Sequence, residues 1–246
     1  MNDSSERLPH AALDPAGRLP KAEKIAALLA LRPAPAGQRL RLLEVGTGAG
    51  VIAHYFSTRA GFDCDVDAVD VVDQRKVADG YRFRVVTSAE LPFADATFDA
   101  VISNHVLEHV GGNTDQRMHL REIARVLKPG GVAYLATPNR WHLVEPHYRL
   151  AFLSWLPRKR RSAYLRWRGR GDCYDCEPLS MPELETMLRS SGMTYANICW
   201  EAIRAMSASE TRRSLAVVLA SRIPRVLAYP LRRFSPTHVY LLQRPV

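Results

Sequence analysis

The segment Leu42-Leu43-Glu44-Val45-Gly46-Thr47-Gly48-Ala49-Gly50 constrains this chain more than any other. Apolar residues lead into one acid and a G-x-G-x-G turn, and Val51 to Phe56 then reads as a helix. The pattern predicts a buried strand that ends in a tight loop and re-enters as a helix. Glycine lets the backbone turn sharply and come close to a ligand. The first turn of the new helix offers N–H groups with no partner in the helix. The spacing differs from the dinucleotide-binding G-x-G-x-x-G. Glu44, just before the turn, would repel a pyrophosphate and suits a ligand with a positive amino group.

The rest of the chain alternates strand and helix signals. Residues 1–20, with Pro9, Pro15 and Pro20, read as loosely ordered, and Lys21 to Leu31 as a helix. Strands are expected at Arg41–Val45, Asp65–Asp70, Arg82–Thr87, Phe98–Ser103 and Val132–Ala136, from period-two alternation or continuous apolar runs. Ala49–Arg59 and Asp115–Leu127 read as helices, the second stopped by Lys128-Pro129-Gly130-Gly131. Further on, Met181–Ser191 reads as a helix, and Tyr195–Glu201 and His238–Gln243 as strands. A basic helical segment, broken by Pro224 and Pro230, is expected over about Ser209 to Arg233. Such alternation implies a parallel sheet covered by helices on both faces.

At 246 residues, with 47% apolar and 24% charged side chains, the chain has material for one sizeable α/β domain. Its first residues lack a basic segment followed by an apolar core, so no signal peptide is expected. Apolar runs such as Leu215–Ala220 fall far short of the ~20 residues a spanning helix needs. A cytoplasmic protein without a transmembrane segment is the expectation. Charge is uneven: residues 1–139 carry 16 Lys/Arg against 17 Asp/Glu, and residues 140–246 carry 18 against 8. A basic second half points to an anionic partner or simply to solvated surface.

In open α/β sheets, ligands bind beyond the carboxyl ends of the strands. Four such ends here carry suitable groups: the Gly46–Gly50 loop; Asp70, placed to accept ribose hydroxyls; Ser88-Ala89-Glu90; and Ser103-Asn104-His105.

These features, in order, resemble the class I S-adenosylmethionine-dependent methyltransferases, over about Leu42 to Asn139. Glu44 to Gly50 resembles that family's cofactor loop. Ala89-Glu90-Leu91-Pro92-Phe93 with Thr97-Phe98-Asp99 resembles its segment around strand four, and Val106-Leu107-Glu108-His109-Val110 the turn after it. Arg121 to Gly131 resembles the helix and turn before strand five. The resemblance implies a Rossmann-like, doubly wound seven-stranded sheet of order 3-2-1-4-5-7-6, last strand antiparallel, with helical insertions in the C-terminal half. It implies an enzyme with S-adenosyl-L-methionine as cofactor, bound by Glu44, Gly46, Thr47, Gly48, Gly50, Asp70, Ser88, Ala89, Glu90 and Asn104. Relatives often carry Asp near Thr87 or Ser88; the hydroxyls here leave Glu90 to take the adenine.

A hydroxyl acceptor would need a general base, for which an imidazole is suited. His105, at the end of strand four, is ranked first and His147 is the second candidate; His142 is weaker, and His109 reads as structural. Thr137 to Arg140 are candidate acceptor contacts or loop anchors. Cys173-x-x-Cys176 has no second pair, so no metal is expected.

The chain divides in this reading into a helical extension at 1–36 and one domain at 37–246. Residues 37–139 form the cofactor-binding core, with acceptor-side insertions or a lid at 140–178 and 205–235. Aromatic residues such as Trp155 and Trp167, interleaved with Arg158-Lys159-Arg160-Arg161, suggest a small acceptor that is aromatic, quinone-like, lipid-linked or a sugar, with peripheral membrane contact. Two alternatives stay open: a nucleic-acid methyltransferase, disfavoured because Ser103-Asn104-His105-Val106 stands where an N-P-P-Y-type tetrapeptide would be, and a non-catalytic binding scaffold.

Overall fold

The computed structural model describes residues 14–29, 31, 38–58, 63–209, 222–224 and 229–246. Its sheet is built from β1 (Leu40–Val45), β2 (Cys64–Asp70), β3 (Arg82–Val85), β4 (Phe98–Asn104), β5 (Leu127–Pro138), β8 (Thr194–Asn197) and β9 (Thr237–Gln243). The spatial order is β3-β2-β1-β4-β5-β9-β8. The first five strands run parallel, and β9 is antiparallel to both of its neighbours. This is the expected order and sense, with β8 and β9 as strands six and seven.

The central strands are mostly apolar because both faces are covered. Successive residues divide between two cores. Leu43, Val101 and Leu135 pack with α3 (Asn113–Val126) and α5 (Met181–Ser190). Leu42, Ile102 and Tyr134 pack with α1 (Pro15–Leu29), α2 (Val51–Thr58) and α6 (Cys199–Ser209). One register therefore serves both layers.

Three elements differ from the expectation. α1 begins at Pro15, six residues before the expected helix, because Asp14 caps it. Its carboxylate accepts from the Ala16 and Gly17 N–H groups at 3.1 Å each, and a proline at the first helical position costs no hydrogen bond. Lys128 to Gly131 do not separate helix from strand: β5 starts at Leu127 and runs through them. The register with β4 shifts between Phe98 and Ala100, and Gly130 takes φ +77°. The irregularity is pinned by Arg244, which pairs with Gly130 and Gly131 through its backbone. The expected strand Tyr195–Glu201 ends at Asn197, whose Oδ1 accepts the Cys199 N–H at 3.2 Å and opens α6. Most of the basic segment at 209–233 lies outside the described residues.

Beyond β5 the chain leaves at Asn139 and returns at Leu179, where the two bridge. Between them lie a small hairpin, β6 (Val144–Glu145) with β7 (Leu150–Ala151), and α4 (Arg158–Trp167). Leu150, Leu153, Leu165, Tyr174 and Cys176 form their own apolar cluster.

Candidate active site

The glycine loop takes the backbone geometry its sequence allows. Gly46, Gly48 and Gly50 have φ of +78°, +54° and +84°, which L side chains rarely adopt. A Cβ on Gly46 would overlap the Val106 side chain, and one on Gly50 the Val77 carbonyl and the Tyr81 hydroxyl. Asp70, at the end of β2, accepts the Gly48 N–H at 2.7 Å through Oδ2 and the Val71 N–H at 2.7 Å through Oδ1.

This loop borders a cavity of about 320 Å³ at the carboxyl ends of the strands. Of the predicted residues, the structure brings Gly46, Gly48, Asp70, Ser88, Ala89, Asn104, His105 and His147 to its wall. Glu44, Thr47, Gly50 and Glu90 are not on it. Glu44 lies beneath the loop, 1% exposed, with Oε2 accepting the Ala53 N–H at 3.0 Å. Burial pushes its carboxyl up to about 8, against the opposing charge of Arg18. Thr47 is buried and donates to the Val69 carbonyl at 3.2 Å. Gly50 sits against the Val77 and Tyr81 segment, and Glu90 is exposed.

A histidine cluster lines the same cavity. His105 follows β4 in the left-handed region at φ +58°, with its N–H donated to the Ala136 carbonyl. Histidine is among the few non-glycine residues enriched there. Its Nδ1 lies 3.3 Å from Oε1 of Glu108, and His109 Nε2 lies 3.9 Å from the same oxygen. Glu108 is fully buried, and Thr137 donates to its Oε2 at 3.1 Å. Burial opposes its charge, yet the bond and charge of His105 and the charge of His109 outweigh that and hold the carboxyl below its ordinary value. His147 sits 2.8 Å from Glu145 Oε1. Burial works to lower its pKa, but the Glu145 hydrogen bond and charge leave it raised. His119, buried and 3.0 Å from Ser103 Oγ, is pushed down to about 4 by desolvation and stays neutral.

Several positions behave as supports. Asn139 donates to the carbonyls of Arg233 and Ser235 and accepts the Trp141 N–H, so it anchors a loop. His142 is bound to the Val144 carbonyl and is not on the cavity wall. Sequence reasoning missed Arg18 and Lys21, which reach the cavity from α1. The signal was there: Asp14-Pro15 is a helix start, and residues three apart share a helix face. It also missed Glu108 as the group that both His105 and His109 face.

Residues 43–135 match a family described as "Methyltransferase domain". The matched segment, residues 43–135, belongs to the class I S-adenosylmethionine-dependent methyltransferases. Among relatives, a protein of Rhizobium leguminosarum bv. trifolii named ubiquinone biosynthesis O-methyltransferase is 32% identical over 161 residues, covering 63% of this chain and 59% of that protein. One of the same name from Brucella anthropi is 30% identical, covering 63% and 60%. The chain thus spans about three fifths of the length of these curated relatives. Among solved structures, geranyl diphosphate C-methyltransferase from Streptomyces coelicolor has a TM-score of 0.53 at 18% identity, covering 94% of this chain and 80% of that one. The cyclase SpnF gives 0.53 at 18%, covering 91% and 81%. These methyltransferase and cyclase likenesses show the fold and leave the reaction to the site. No helix among the described residues is long and apolar enough to cross a membrane.

Proposed function

We propose that this chain transfers a methyl group from S-adenosyl-L-methionine to a hydroxyl oxygen of a small apolar molecule, of aromatic, quinone-like or lipid-linked type. The observation that carries this reading is the cavity itself, lined by the glycine loop and Asp70 together with His105, His109 and His147. The fit to the cofactor rests on the loop's positive φ angles, on the Gly46 position that admits no side chain, and on a carboxylate at the end of β2. When bound, S-adenosylmethionine supplies an electrophilic sulfonium methyl group.

The protein's part is then positioning and one proton. Asp70, Ser88 and Ala89 line the side on which a nucleoside would lie. Holding two reactants in line removes much of the entropic barrier. His105 takes the hydroxyl proton, and the buried Glu108 carboxylate stabilises the imidazolium that results. The aromatic character of the acceptor is supported by the relatives' printed name and by the 140–178 segment. There Trp141, Phe152 and Trp155 are between 41% and 50% exposed and meet edge to face, beside the exposed Arg158, Lys159 and Arg160. Such a rim suits contact with an anionic membrane that holds a lipid-linked acceptor. Sedimentation with phosphatidylglycerol vesicles, against phosphatidylcholine vesicles, tests that contact; equal and negligible binding would remove it.

The deciding experiment is calorimetry with S-adenosylmethionine and S-adenosylhomocysteine, with NAD as the control. Binding of the two sulfur compounds alone supports the reading and justifies assays on phenolic and lipid-linked hydroxyls. No binding would favour a scaffold that keeps the fold without the reaction.

A further inference from the structure

Three side chains far apart in sequence converge at the histidine cluster. Cys176 Sγ lies 3.7 Å from His109 Nδ1 and 3.8 Å from His147 Nδ1. One ligand atom from each of the three lies within 4.8 Å of the others, and the two imidazoles meet edge to face at 4.9 Å. Tetrahedral zinc, about 2.0–2.1 Å from nitrogen and 2.3 Å from sulfur, needs such atoms roughly 3.3–3.7 Å apart. The approach required is small.

The supports are rigid. The Glu177 N–H donates to the Glu108 carbonyl at 2.7 Å, and Gln116 Nε2 bridges the carbonyls of Leu107 and Glu177. These bonds clamp the Cys176 segment onto the turn that carries His109. Cys176 itself is fully buried in the small apolar cluster of the 140–178 segment. Glu145 Oε1 lies 2.8 Å from Nδ1 of His147, the same nitrogen that faces Cys176, and Oε2 accepts the Tyr148 N–H. His109 turns Nδ1 to Cys176 and Nε2 toward the Glu108 carboxylate at 3.9 Å, and a carboxylate on the second nitrogen is the usual partner of a metal-bound histidine. A carboxylate stands beside each of the three side chains. Glu108, buried, pairs with His105 and His109, and Glu145, also buried, with His147. Asp175 Oδ1 lies 3.6 Å from the thiol.

We infer that His109, His147 and Cys176 form a binding site for one divalent transition-metal ion, zinc(II) by preference. Nitrogen and sulfur donors together select this class over magnesium or calcium. His109 and His147 line the cavity and Cys176 does not, so the fourth position of the ion opens toward the cavity. Three protein ligands with one open position is the pattern of a catalytic metal. On the proposed hydroxyl methylation, that position binds the acceptor oxygen and favours its deprotonation toward His105. The sequence alone gave no metal because Cys173-x-x-Cys176 has no second cysteine pair; the fold supplies two histidines instead, and Cys173 is exposed.

The test uses the full chain, stripped with a chelator and then titrated with zinc and, separately, with cobalt(II). One zinc per chain is expected, with a thiolate-to-cobalt charge-transfer absorption in the cobalt form. Losing an outer-shell partner typically costs 10–100-fold in affinity, so Cys176→Ser and His147→Asn should each cost at least about 100-fold and abolish or shift that absorption. Cys173→Ser should change neither. No uptake by a chain that still binds S-adenosylmethionine, or equal uptake by Cys176→Ser, would overturn the site. Full methyl transfer by the metal-free chain would overturn its catalytic role. Metal uptake without methyl transfer to any hydroxyl would count against the proposed function and leave the site standing.

Discussion

Asp70 Oδ2 accepts the Gly48 backbone N–H at 2.7 Å, so the end of β2 is fastened directly to the glycine loop after β1. The carboxylate both shapes the loop and faces the cavity. Asp70→Ala therefore removes a ligand contact and a loop constraint together. A hydrogen bond to a charged group contributes about 1.5–3 kcal/mol, so S-adenosylmethionine affinity should fall roughly 10- to 150-fold. Calorimetry reads this directly, and an unchanged Kd would remove Asp70 from the ribose role.

His105→Asn tests the general base with the backbone preserved, because asparagine, like histidine, is among the non-glycine residues enriched in the left-handed region that position 105 adopts. Turnover should drop by about 10²–10⁴-fold, the usual span for a lost general base. Cofactor affinity should stay as in the parent. Parent-like turnover would end the assignment.

Glu44 sets a pH dependence of stability in the ligand-free protein. Burial raises its folded pKa from 4.5 to about 8. The folded state therefore holds a proton that the unfolded state has released between these values. The stabilising effect is complete below the unfolded pKa and is lost as pH rises through about 8. One proton limits the slope to about 1.4 kcal/mol per pH unit. Urea unfolding between pH 5 and 8 should show this decline, and Glu44→Gln should flatten it. Parallel profiles for the two proteins would count against a raised Glu44.

Gly50→Ala should be among the most damaging single changes. The added Cβ meets the Val77 carbonyl, which is backbone and cannot swing aside, in a residue at φ +84°. Left-handed strain alone costs of order 1–3 kcal/mol. A fall in Tm together with lost cofactor binding is expected. Cofactor binding without loss of stability would show that the loop can relax.

The sheet could be read from sequence because β1, β4 and β5 are apolar on both faces and the loops between them carry strong punctuation. Asp70 and His105 could be placed at the cavity for a related reason: one ends a recognisable strand and the other directly follows one, where this kind of fold places its ligands. Arg18 escaped because three prolines made the first 20 residues look unstructured, although one of those prolines starts α1. Lys21 was read within a helix, but nothing in its spacing shows that this helix borders the cavity. Glu44 was expected at the ligand, and the fold turns it under the loop to Ala53, a choice between two neighbouring targets that spacing does not make. Cys176 beside His109 and His147 is a tertiary fact. Residues 67 and 29 positions apart give no local periodicity to read.

Val106 fills the space that a side chain at position 46 would need. The two positions belong to different strand ends, yet they cannot vary independently. A library that randomises the cofactor loop on its own samples mostly dead sequences at position 46. Residue 106 neighbours His105, so trimming it to make room also loosens the residue assigned the proton. Anyone wishing to reshape one wall of this cavity must redesign both as a pair.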